Sequence, residues 1–114
     1  MQSEFRFTRY GLSSRYDVTV RLVAEQAREF SAVIDPSIAT VVAGSHLQSV
    51  LLGVRSAHLA AALIAPLAVT VTDVVDHSGE TGELGFKVCG EGAMYHLLGL
   101  PEKAPSAGYV LGEA

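Results

Sequence analysis

A chain of 114 residues fits one domain and can bury a modest hydrophobic core. Hydrophobic residues make up 49% and charged residues 18%, which excludes a disordered chain, and no apolar run is long enough to span a bilayer. Net charge is −4, which argues against a protein that grips nucleic acid mainly through phosphates.

The start, "MQSEFRFTRYG", lacks the basic start and apolar stretch of a secretory signal. The single cysteine, Cys89, cannot form an internal disulfide and suits a reducing compartment, so the expected location is cytoplasmic. Basic residues gather early in the chain. Arg6, Arg9, Arg15 and Arg21 make a candidate basic face, for which a solvated strand surface is the competing explanation.

"EFRFTRY" alternates Phe5 and Phe7 with Arg6 and Thr8, the period of a half-buried strand. After "GLSS", "RYDVTVRLVAE" alternates again, with Tyr16, Val18, Val20 and Leu22 on one face and Asp17, Thr19 and Arg21 on the other. The short break "EQAR" before "EFSAVI" (29–34) favours an antiparallel hairpin, closed by Asp35-Pro36-Ser37. A helix is expected over 45–61, with Ser45 and Gln48 as a capping box and Leu47, Val50, Leu51, Val54, His58 and Ala61 as its apolar stripe. "LAVTVTDVV" reads as a central strand, parallel to "EFSAVI".

A loop then carries His77 among Asp73, Asp76, Glu80 and Glu83. Phe86, Cys89, Ala93 and Leu97 mark a second helix over 81–98, in which Gly90 and Gly92 suggest close packing on the sheet. The fold expected is an α+β two-layer sandwich, a four-stranded sheet with two helices on one face. Residues 1–100 form the one domain, and 101–114 an extended tail.

From "IDPSIATVVAGSHLQSVLLGVRSA" through "VTVTDVVDHSGETGELGFKV", the chain resembles the fourth domain of translation elongation factor G. Val50, Gly53, Val54, Arg55 and Ala57 match that family's helix; Thr70, Asp73, His77, Glu83, Leu84, Gly85, Phe86 and Lys87 match its strand, tip loop and helix start. The resemblance implies the fold of ribosomal protein S5 domain 2, with His77 at a tip that enters the ribosomal decoding site. There are departures. No phosphate loop of the G-x-x-x-x-G-K-[ST] type occurs, so no GTPase is present. The first tip loop shrinks to "RYG", and Asp76 and Glu80 bring acid that repels a phosphate backbone. Fold carries over better than function.

The recognition tip is therefore Asp76, His77, Ser78, Gly79 and Glu80, with a merely charged turn as the plain alternative. Removing the Asp76 and His77 side chains together is expected to spare stability. The loop acids fit no calcium-loop signature, and His46, His58 and His96 lack ligand spacing, so no metal and no cofactor are expected. No Ser-His-Asp set or paired acid and base is evident, and Cys89 reads as a core residue. The expected role is a non-catalytic module bound to the ribosome or RNA; the alternative is a protein-interaction or homo-oligomerising domain, with an open sheet face or edge strand as its contact surface.

Overall fold

A computed structural model describes residues 1–10, 15–39, 41–61 and 66–105. The chain runs β1 (Gln2–Tyr10), β2 (Arg15–Gln26), β3 (Ser31–Ile34), α1 (Gly44–Ala60), β4 (Leu67–Asp76) and α2 (Glu83–Leu97), then a 3-10 turn at Pro101–Lys103. The sheet order is β1-β2-β4-β3, with β1, β2 and β4 antiparallel in turn and β3 parallel to β4. This is the expected two-layer α+β sandwich. No helix among the described residues is long and apolar enough to cross a membrane.

The expected β2–β3 hairpin does not form, because β4 inserts between the two strands. The break at "EQAR" only reverses the chain. Central position goes to β4, whose Leu67, Val69, Val71 and Val74 all need cover. A bulge opposite Arg21 and Leu22 shifts the register, so Val74 turns inward and Asp73 stays opposite Arg21.

Alternation sends Phe5, Phe7, Val18, Val20, Leu22, Val69 and Val71 under the helices, where Val50, Val54, Phe86, Cys89 and Met94 meet them. The other sheet face carries Arg6, Thr8 and Tyr10 from β1 and Asp17, Thr19, Arg21 and Val23 from β2. It has no covering layer among the described residues.

The helices touch backbone to backbone. A Cβ on Gly53 would collide with the Lys87 carbonyl and lie 2.8 Å from the Glu91 nitrogen; one on Gly90 would strike the Val50 carbonyl. Gly90 therefore serves the contact between α1 and α2 rather than packing on the sheet. Gly92 does face the sheet, under the ring of Phe5. Each glycine costs up to about 1 kcal/mol of helix propensity relative to Ala, which the close packing offsets.

Two local expectations are corrected. Ala43 is the N-cap of α1, its carbonyl accepting from Leu47 N–H, and the capping box at Ser45 and Gln48 is absent. Ser45 lies inside the first turn, where its carbonyl accepts from the Ser49 hydroxyl. The expected extended tail begins instead as the 3-10 turn, with Ala104 packed against the core. Residues 106–114 lie outside the described residues.

Gly53→Ala tests the helix contact. Overpacking costs about 1–3 kcal/mol even where side chains can yield, and the obstacle here is main chain. After the gain in propensity, urea denaturation should show a net loss of about 1–2 kcal/mol or more. An unchanged or higher midpoint would mean that the helices do not meet there.

Candidate functional site

The His77 loop is stitched to the sheet at both ends. His77 N–H donates to the Asp17 carbonyl at 2.7 Å, which adds one rung to the ladder between β2 and β4. The Asp76 carboxylate then gathers the turn. Its Oδ1 accepts from Ser78 Oγ (3.0 Å), Gly79 N–H (3.1 Å) and Thr81 Oγ1 (2.7 Å), and its Oδ2 from Thr81 N–H (3.2 Å). Burial pulls the Asp76 pKa upward, but these bonds to Thr81, Ser78 and Gly79 outweigh it and hold the carboxyl below its usual range. Gly79, at φ 72°, supplies the left-handed residue that the turn requires. Thr81 is buried, and its hydroxyl accepts from Asp17 N–H at 3.1 Å, joining the far side of the loop to β2.

His77 itself is exposed, and its Nε2 lies 2.8 Å from Thr19 Oγ1 on the open sheet face. Beside it, Asp17 is buried under a cross-strand network. Arg6 grips it with Nε and Nη2, both at 2.8 Å, while Tyr10 donates at 3.0 Å and Thr8 at 3.3 Å. The Arg6 bonds lead in depressing the Asp17 pKa to about 2, against the upward pull of burial. Its side chain is 8% exposed against 57% for Arg6, so the pair spans the surface. No carboxylate hydrogen-bonds the His77 ring among the described residues. The contact with Thr19 orients the imidazole over the open sheet face.

Of the five expected tip residues, Asp76, Ser78 and Gly79 direct their polar groups inward to the loop. His77 and Glu80 are the outward-facing side chains. The candidate basic face does not hold together. Arg9 pairs in register with Tyr16, which packs on the helix side, so strand alternation separates it from Arg6, Arg15 and Arg21. Arg6 is held by Asp17, Arg21 pairs with Glu4 at 2.7 Å, and Arg15 lies over the Tyr10 ring at 5.9 Å.

Three other histidines pack on phenylalanines: His46 on Phe86, His58 on Phe30 and His96 on Phe5, with centroids 4.3, 3.9 and 5.1 Å apart. Cys89 is buried, and desolvation pushes its thiol up to about 12, far from a reactive thiolate. No group of three or more His, Cys, Asp or Glu suited to a metal occurs among the described residues. Asp17 is the site residue that periodicity alone misses. Its place on the polar face beside Thr19 and Arg21 is the available signal, but only strand register brings Arg6 and Tyr10 to it.

No protein-family model and no curated protein sequence matches this chain. The fold, however, recurs in a solved structure. A crystal structure of a protein from Thermus thermophilus superposes with a TM-score of 0.67 over 90% of this chain, at 16% sequence identity. The match spans 16% of that protein's length. At this identity the likeness shows a shared fold alone.

Two measurements separate the roles of these residues. His77→Ala should stay within about 1 kcal/mol of the parent, since it loses one exposed hydrogen bond. Asp76→Ala should lose about 1.5–3 kcal/mol, the range for hydrogen bonds to a charged group, because four donors lose their acceptor. The expectation that both side chains are dispensable is thus revised for Asp76. Equal, negligible losses would contradict the loop geometry.

Asp17 predicts an acid limit. Its folded pKa lies below the unfolded value, so its contribution is present above about pH 4 and fades as pH falls towards about 2. The stability advantage of the parent over Asp17→Asn should shrink across that window in acid titrations of unfolding. A constant difference would mean that the carboxylate is not paired.

Proposed function

We propose that this domain is a non-catalytic recognition module of the cytoplasm, associating with the ribosome or RNA as its resemblance to elongation factor G domain IV implies. The supporting observation is the closed hydrogen-bond set around Asp76. It fixes the loop at the end of the sheet and leaves the His77 imidazole outward in one position. A preordered tip loses less conformational freedom when it docks. In this reading His77 is the contact residue and Asp76 its positioning residue.

A second reading, a protein-interaction or homo-oligomerising domain, draws on the sheet surface. Arg6 and Arg21 are matched by Asp17 and Glu4, and Val23, Val33 and Val75 stay exposed. This pattern favours a protein surface over bare phosphate.

Co-sedimentation with ribosomes at low and high salt tests the first reading. Pelleting is expected at low salt with only a shallow decline as salt rises, since few cations are left to displace counterions. His77→Ala should weaken association by about fivefold, the effect of losing a contact worth about 1 kcal/mol. Absence from the pellet at both salts, or undiminished binding by the variant, would refute it; the second reading then stands on the oligomeric state and on protein partners.

A further inference from the structure

β4 outruns its neighbour. β3 pairs with β4 only through Ile34 opposite Val71, and Asp35 N–H closes the ladder on the Val71 carbonyl. β4 continues to Asp76, paired on its other side with β2. Because His77 N–H points to β2, strand alternation turns the main-chain groups of Val75 and Asp73 the same way. Those of Val74 and Asp76 face the side that β3 has vacated. Among the described residues no main-chain group pairs with them there.

That side is a groove of about 540 Å³, walled by Val41, Val42 and Ala43 before α1, by His46 and Phe86 of the helices, and by Asp73–Asp76. Its helix-side wall is apolar, with Val41 79% exposed and the His46 ring flat on Phe86. Acid marks the strand side. Asp73 and Asp76 line it, Asp73 on the open face and Asp76 with its carboxylate turned into the His77 loop, and no Lys or Arg lines it among the described residues.

We propose that this groove is a strand-addition site for an extended, basic peptide segment of a partner protein, lying where β3 would have continued. Only a peptide backbone offers donors and acceptors at the spacing that Val74 and Asp76 present. Its apolar side chains pack under Val41, Val42 and Phe86, and the alternate ones meet Asp73 on the open face. The site is distinct from the outward imidazole of His77 and goes beyond the ribosome reading.

The probe is a blocked pentapeptide alternating valine and lysine, titrated into the 15N-labelled full chain. Saturable shifts should centre on the amides of Val42, Val74, Val75 and Asp76, with slowed hydrogen exchange at Val74 and Asp76. Replacing lysine by glutamate, or N-methylating the central peptide amides, should abolish them. Asp73→Asn should weaken binding by about threefold, in keeping with one exposed charge pair. His77→Ala should leave the peptide shifts in place, which separates this site from the ribosome contact. Absent shifts, shifts elsewhere, equal response to the glutamate peptide, or protection that rises with protein concentration alone would overturn the proposal, the last by showing a second copy as occupant.

Discussion

The two helices can form one layer only because their backbones meet at Gly53 and Gly90. With any side chain at either position, Lys87 or Val50 main chain would have to move away. That separation would lift α2 off Phe5 and Cys89 off the strand carbonyls to which its thiol donates. Hydrophobic burial supplies the drive, but the glycines set the distance at which it can be collected. The same helix begins at Glu83, directly after the far end of the His77 loop.

The near end of that loop is fixed by charge. Asp76 closes the turn on itself, while Asp17 binds Arg6 and Tyr10 and offers its amide to Thr81. Two carboxylates are thus fully engaged in holding the shape of the sheet's end, and the His77 ring is left exposed beside Thr19. On the open face Asp17 also offsets the charge of Arg6, as Glu4 does that of Arg21. An end built this way presents shape and hydrogen-bonding groups, with little electrostatic reach.

Much of the fold was legible in local pattern. Alternation at Phe5, Phe7, Val18, Val20 and Leu22 places the sheet's inner face, and the spacing of Val50, Val54, Phe86, Cys89 and Ala93 places both helix stripes. What local pattern does not encode is who sits beside whom. The β2–β3 hairpin is reasonable from spacing and wrong in space, because insertion of β4 is decided by burial of the whole sheet. Gly90 reads as a sheet contact until α1 is placed against it.

The site was legible to the same depth. Asp76 and His77 could be singled out as loop residues, yet their division of labour depends on Thr81 and on Asp17 and Thr19, the last two brought near only by the β2–β4 pairing. Arg6, Arg15 and Arg21 share a face as strand period requires, whereas the neutralisation of Arg6 and Arg21 by Asp17 and Glu4 follows from the β1–β2 register. The histidine–phenylalanine stacks on the helices likewise arise from packing between elements, which no spacing along one helix reveals.

The central claim is that residues 76–81 form a rigid, preordered end, and backbone 15N relaxation of the free domain measures this directly. Order parameters through Asp76, His77, Ser78, Gly79, Glu80 and Thr81 should match those of β4, near about 0.85, despite the loop's exposure. Values falling below about 0.6 across the loop would contradict the account and leave His77 on an ordinary flexible turn.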